Sequence, residues 1–305
     1  MRELKFDLSI ASNALLCPDV SGFYSKAYIT EDIADNYRAI PGVKSSTKIS
    51  NVDFDNLLKA STCNFTAGSQ TLDAVDVDVC GVSAMAEICQ FDLETSFLAD
   101  QMAKGSNSNF EVASFMDYYW NEMASEIESE IEQIRWKGDT TITGTTYLNL
   151  CDGYEKKLLA DSGVTDVTLT AITTTNVIDA MIDVVNALPA TLKCKRSDLR
   201  FYVSPNVALS YELAAAQGNT IAYITQSLGL SFLGIKIVCA EGMTDSKMVL
   251  TRKQNMLYAF DGAGDSKELK AINLTESIAE PLIRTRTNIK IGFEFLNPTE
   301  IVYFN

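Results

Sequence analysis

Carboxylates are the residues of this chain whose number and spacing best suit chemistry. Seven stand in FEVASFMDYYWNEMASEIESEIEQI, residues 110–134: Glu111, Asp117, Glu122, Glu126, Glu128, Glu130 and Glu132, with no Lys or Arg before Arg135. Acids at that density are the ligands of hard cations such as calcium or magnesium. A di-iron centre in a helix bundle would add a Glu-x-x-His pair, and the chain has no histidine. That absence also removes Ser-His-Asp and Cys-His catalysis, His-bearing zinc sites and the H-E-x-x-H motif. A carboxylate-only metal site, and with it a carboxylate-metal enzyme, stays open as an alternative.

Other candidates reduce to structure. Asp73, Asp76 and Asp78 in DAVDVDV have the composition of a calcium loop, without the turn glycine and bidentate glutamate of an EF-hand. They read as a solvated strand face. GDTTITGTT (138–146) lacks the G-K-[ST] of a P-loop. Ser204 in YVSPN lacks the glycines of a nucleophile elbow and reads as a helix cap. No catalytic constellation emerges, and the sequence asks for no cofactor.

The elements that must carry these residues follow from composition and periodicity. At 305 residues, 47% hydrophobic and 21% charged, the chain is globular and long enough for one large or two ordinary domains. No apolar run approaches the roughly 18 residues of a spanning helix, and the N-terminus does not read as a signal peptide. Seven scattered cysteines without a C-x-x-C are expected to be reduced core thiols in a cytosolic compartment. A net charge of −15 repels nucleic acid and anionic membrane at long range, so no specific DNA-binding module is expected.

Residues 1–40 read as an arm with one short helix, EDIADNYRAI, stopped by Pro41-Gly42. Across 43–92, Val75, Val77 and Val79 alternate with Asp76, Asp78 and Cys80, the mark of a long two-faced β-hairpin. A short helix precedes Lys104-Gly105, and Ser108 with Glu111 suggests a capping box. A long helix over 109–136 follows. Its apolar stripe is Val112, Met116, Tyr119, Met123, Ile127, Ile131 and Ile134, and Arg135 and Lys137 suit the negative end of its dipole. Residues 140–272 read as α/β, with Ile178, Met181, Ile182 and Val185 facing inward from one helix. In IRTRTNIKIGFEF, Ile283, Ile289, Ile291, Phe293 and Phe295 alternate with Arg284, Arg286, Asn288, Lys290 and Glu294. The closing IVYFN reads as a structural strand.

This order resembles the tailed-bacteriophage major capsid proteins, the Hong Kong 97-type fold. The matching stretches are the hairpin at 43–90, the helix ending IRWKGD, the run NVIDAMIDVVNALPATLKCKRSDLRFYVSPNVALSYELAAAQG, the pair LSFLGIKIVCAEGM and KMVLTRKQNMLYAFD, and the closing IKIGFEFLNPTEIVYF. The resemblance implies an α+β chain with an N-terminal arm (1–40), an E-loop hairpin (41–92), a peripheral domain (93–139 and 273–305, spine helix 109–136) and an axial α/β domain (140–272). It implies a shell subunit, not an enzyme, that assembles with itself as hexamers and pentamers. A separate scaffolding protein, a portal and auxiliary head proteins would be its other partners. The shell would enclose double-stranded DNA without binding it specifically and would touch no membrane. The protein would be found in the virion, and in the host cytoplasm during assembly.

The chain lacks the long N-terminal scaffolding extension of some members, so that segment was removed or a separate scaffold exists. Lys44, Lys48 and Lys59 lie in or near the hairpin, but no motif marks an acceptor, so the lysine–asparagine cross-link of some members is not carried over. Bacterial encapsulin shells share the fold and remain a second reading. A shell subunit also gives the acidic helix a use. Uncompensated i,i+4 acids cost about 0.2–0.5 kcal/mol per pair, tolerable if cations lie elsewhere. Glu122, Glu126 and Glu130 are therefore expected to meet Arg284, Arg286 or Lys290, within a subunit or across an interface.

Overall fold

A computed structural model describes residues 20–28, 31–61, 67–89, 112–144, 146–168, 171–217, 230–261, 269–274, 280 and 282–305. In chain order the described elements begin with α1 (Val20–Tyr28), α2 (Glu31–Asn36), β1 (Arg38–Pro41), β2 (Ser46–Asp55), β3 (Ser69–Asp78) and β4 (Cys80–Cys89). Then come α3 (Val112–Lys137), α4 (Tyr154–Ala160), β5 (Thr165–Val167), α5 (Val177–Ala187), α6 (Ala190–Lys193), β6 (Leu199–Val203) and α7 (Pro205–Gln217). Strands β7 (Ser231–Phe232), β8 (Ile235–Cys239), β9 (Met248–Arg252), β10 (Met256–Phe260), β11 (Lys270–Asn273), β12 (Leu282–Phe295) and β13 (Val302–Phe304) complete the chain. Two compact units result. The first draws its described residues from Met1–Thr30, Gly81–Ser129 and Gly262–Ile289; the second takes them from Glu31–Cys80, Glu130–Asp261 and Lys290–Asn305.

In the first unit, β12 keeps the period-two pattern expected of a half-buried strand. Ile283, Thr285, Thr287 and Ile289 are buried, while Arg284, Arg286 and Asn288 are exposed. Antiparallel β11 places Lys270 opposite Arg286 and Ile272 opposite Arg284, and β4 also pairs with β12. Helices cover the buried face. Tyr24 of α1 shares a hydrogen bond with Thr287 (3.1 Å), and Tyr119 of α3 shares one with Thr285 (2.8 Å). Each threonine hydroxyl inside the sheet therefore has a partner, as burial demands. Phe23 packs edge-on to Trp120 at 5.7 Å.

The second unit holds a six-stranded sheet in the order β5-β13-β9-β6-β8-β7. Helices α5 and α7 pack on it through Val177, Met181, Val184 and Val207 against Phe201, Val203, Leu250 and Phe304. The inward stripe of α5 differs from expectation. Val177, Ala180, Met181 and Val184 are buried, while Ile178 and Ile182 are 40% and 39% exposed. At 100° per residue, the two isoleucines lie about as far from the centre of the buried set as Asp179 and Asp183 do, so they share the solvent side with the acids. The closing strand β13 is buried throughout, as expected.

Three further expectations need correction. The helix of EDIADNYRAI ends at Asn36, and Arg38–Pro41 instead forms β1, parallel to β10. The long hairpin is a two-stranded ribbon, β2 with β3, from Ser46↔Asp78 to Asp55↔Ser69; β4 leaves it to pair with β12. The cysteines are not all free. Cys80 and Cys151 form a disulfide with Cα atoms 5.9 Å apart, while Cys89, Cys194 and Cys239 are free. Spacing did not betray the pair because its members lie 71 residues apart.

Helix α3 runs 26 residues. Trp120, Ala124, Ile127, Ile131 and Ile134 are buried, in steps of four and three that make one stripe, and Arg135 and Trp136 are buried beyond it. The side chains of Val112 and Met116, the capping pair Ser108–Glu111 and the short helix before Lys104-Gly105 lie outside the described residues. Gly138 ends the helix, and a Cβ there would stand 2.3 Å from the Cys151 carbonyl oxygen. Only glycine allows the chain to pass so close. Ser204 precedes Pro205 at the start of α7, but its carbonyl, not its side chain, receives the Ala208 N–H; the hydroxyl is buried without a partner.

Candidate assembly site

The C-terminal turns of α3 are held by a buried charge inside an aromatic cage. Arg135, expected to suit the negative end of the helix dipole, does stand in the last turn of α3, where it is 3% exposed. It pairs with Glu132 one turn back, and the other Glu132 oxygen accepts the Trp136 indole N–H at 3.2 Å. The guanidinium lies over the rings of Tyr37 (4.9 Å) and Tyr258 (5.1 Å). Tyr37 stacks on Tyr154 at 6.1 Å, and Trp136 meets Tyr154 edge-on at 5.3 Å. Tyr154 donates to the Leu257 carbonyl at 2.6 Å, and Tyr202 donates to the Asn36 carbonyl. Burial, the largest effect, pushes Arg135 down, but the Glu132 carboxylate together with Tyr37, Tyr258 and Tyr154 outweighs it and holds the guanidinium charged. Burial raises Tyr37, Tyr154 and Tyr202, and pushes Tyr258 up to about 12 against the pull of Arg135.

The loop that follows is closed by a lysine. Lys156 Nζ lies 2.7 Å from Asp139 Oδ1 and 2.6 Å from Asp152 Oδ1. Asp152 also accepts the Thr140 N–H and hydroxyl, both at 2.8 Å. The Lys156 hydrogen bond, with those of Thr141, lowers Asp139 to about 2. The turn after Gly138 is thus folded on Asp139 and on Asp152. Among the described residues, no group of three or more potential ligands gathers as a metal site, and no helix is long and apolar enough to cross a membrane.

Two surfaces stand open. On the first unit, the exposed face of β4, β11 and β12 forms a groove of about 680 Å³ lined by Met85, Glu87, Lys270, Ile272, Arg284 and Arg286 among others. Lys270 directly faces Arg286, an arrangement of like charges that destabilises a sheet unless an anion covers it. On the second unit, the ribbon shows Phe54 (54% exposed), Leu58 (96%) and Leu72 (68%) to solvent. Its root, Val77, is buried with Val43, Leu257 and Ala259.

The residues singled out in the sequence sit as follows. Glu122 and Glu126 are exposed on α3, and Glu130 is half-buried. Arg284 pairs with Glu87, a carboxylate that sequence reasoning did not select, and the Arg286 Nε–H donates to Asn288 at 3.3 Å. Lys290 donates to the Lys44 carbonyl at 2.9 Å and lies 3.8 Å from Asp261. Glu87 stands two residues after Met85, on the same exposed face of β4.

No protein-family model matches the sequence, and no curated protein matches it. Solved structures do. A capsid chain of an empty GTA particle is 15% identical with a TM-score of 0.59, over 92% of this chain and 89% of that one. A chain of the satellite phage P4 procapsid is 9% identical with a TM-score of 0.57, over 93% and 96%. A virus-like particle from Pyrococcus furiosus is 11% identical with a TM-score of 0.52, over 96% and 97%. Identities this low speak for the path of the backbone alone. Followed from end to end through both units, that path is the α+β Hong Kong 97-type fold of phage capsid proteins.

Proposed function

We propose that this chain is the major capsid protein of a tailed double-stranded-DNA bacteriophage, self-assembling into an icosahedral head. The observation that carries the reading is a fold shared with capsid chains over nearly the full length of both partners. A ribbon with exposed Phe54, Leu58 and Leu72 supports it, because such side chains need a cover that the ribbon itself does not supply. Residues 1–40 would be the arm, 41–92 the E-loop region, 93–139 with 273–305 the peripheral domain, and 140–272 the axial domain. Hexamers and pentamers of this chain would close the shell. A scaffolding protein, portal and auxiliary head proteins would join it, and DNA would be enclosed without specific binding. Such a subunit works in the host cytoplasm during assembly and then in the virion, and it is no enzyme.

Within this reading, the Glu122, Glu126 and Glu130 row meets Arg284, Arg286 or Lys290 of a neighbouring subunit. The test is a double-mutant cycle of Glu126→Gln with Arg286→Gln, read as shell stability in low and high salt. Coupling that shrinks with salt is expected; strictly additive effects would leave the acids as a solvated face. Function itself is tested by negative-stain imaging of the expressed chain, where closed shells are expected and a monomer or small oligomer would overturn the proposal. The likeness to the Pyrococcus furiosus virus-like particle favours a second reading, an encapsulin-like compartment. Nuclease-protected double-stranded DNA in shells isolated from the native source marks a capsid; an enclosed cargo protein without DNA marks a compartment.

A further inference from the structure

We propose that Cys80 and Cys151 form a reversible staple for the root of the β2–β3 ribbon, open as two thiols in a reducing compartment and closed as a disulfide outside it. The ribbon depends on its root. Its two strands form a sheet of their own, and from Ser69 to Ala74 every β3 residue is exposed. What fixes it is concentrated at one end. Val77 is buried, Val79 N–H donates to Ser45 O at 3.0 Å, and a Cβ on Gly292 would stand only 2.2 Å from the Asp78 carbonyl oxygen. Cys80 follows two residues after Asp78, the last residue of β3. Cys151 lies in the loop whose carbonyl passes against Gly138. The bond therefore ties the base of a lever to the segment that closes the long helix.

The two sulfurs are placed for both states. Their Cα separation of 5.9 Å lies within the range a disulfide spans without moving the backbone. Cys151 is 1% exposed and Cys80 is half-buried, so Cys80 is the sulfur a soluble oxidant meets first. Closure needs a disulfide-class oxidant such as oxidised glutathione. The Cys80 thiol loses its proton, and the thiolate attacks the oxidant's disulfide and releases one small thiol. The Cys151 thiolate then attacks the mixed disulfide at Cys80 and releases the second. Two protein S–H bonds are lost, one S–S bond forms, and two electrons and two protons leave on the small thiols. Cytosolic glutathione keeps such a pair open, and an oxidising medium closes it. When closure happens in the life of the particle rests on the shell reading; the staple itself does not.

The experiment compares the purified chain in dithiothreitol with the same chain after oxidised glutathione. Thiols are mapped by alkylation after denaturing quench, and hydrogen exchange is followed at residues 76–80. Oxidation should protect Cys80 and Cys151 together from alkylation. Reduction should speed exchange at the root by about tenfold or more and lower the melting temperature by roughly 10 °C, since a loop of 71 residues is released. Cys80→Ala should match the reduced chain and ignore the oxidant. If that variant does not fold, the wild-type comparison decides alone. Full alkylation of both sulfurs after oxidant, or a bond that forms without slowing exchange at the root, would overturn the proposal. Absence of shells in both conditions would sink the capsid reading and leave the staple standing.

Discussion

The cage around Arg135 and the ribbon of β2 and β3 belong to the same unit and are built on opposite terms. In the cage, Tyr37, Trp136, Tyr154, Tyr202 and Tyr258 are all buried, and a charged pair is enclosed with them. In the ribbon, polar and apolar side chains alike face solvent until Val77. The cage is complete within one chain, so its energetics are those of folding. Away from its root, the ribbon gains little from its own chain beyond ladder hydrogen bonds and the exposed Lys48–Asp76 pair, and a lone two-stranded ribbon is marginal in water. A fold that keeps both has separated the part that makes it stable from the part left to meet something else.

Alkaline pH should break the cage most completely. In the unfolded chain its tyrosines ionise near 10.0, while in the fold Tyr37, Tyr154, Tyr202 and Tyr258 are all raised. The unfolded state then binds fewer protons above pH 10, so stability is full below that value and falls as pH rises toward 12 and beyond. With all four titrating only when unfolded, the slope reaches about 5 kcal/mol per pH unit. The phenolate absorbance of these four buried tyrosines should appear together with the loss of circular dichroism, not before it.

Removing one member of the charged pair comes next. Arg135→Met leaves Glu132 without its cation and should cost about 3–5 kcal/mol in urea unfolding, whereas Arg135→Met with Glu132→Gln should recover much of it. Gly292→Ala tests the seam between the two regions. Its Cβ would press on the Asp78 carbonyl, so roughly 1–3 kcal/mol is expected, with faster exchange at the ribbon root. The smallest effect on folding belongs to the ribbon itself. Phe54→Ser with Leu58→Ser should move chain stability by no more than about 0.5 kcal/mol, yet closed shells should fail to form. A large stability loss there would erase the contrast.

Strand β12 was legible because it is half-buried, and half-burial imprints a period of two. Helical periodicity likewise read the general stripe of α3, whereas β13, buried throughout, was read from its apolar run and not from alternation. Periodicity failed on α5, where apolar residues cover more than half the helix and leave the core face unmarked. It merged the ribbon with β4 because the alternation continues from Val75 past Cys80, and no residue type marks the point where a strand changes partners. The burial of Arg135 was not legible because Tyr37 and Tyr258, whose rings enclose it, are supplied by distant parts of the chain. The Arg284–Glu87 pair was missed for the same reason, since a cross-strand neighbour is set by register.

The chain has two tryptophans, Trp120 and Trp136, both on α3. One belongs to the first unit, beside Phe23 at 5.7 Å; the other belongs to the second, 5.3 Å from Tyr154. Each unit thus has its own fluorophore. A chain carrying Trp120→Phe emits only from the second unit, and one carrying Trp136→Phe only from the first. Two emission curves recorded through the same denaturant series would report whether the halves of a single helix melt in one transition or in two.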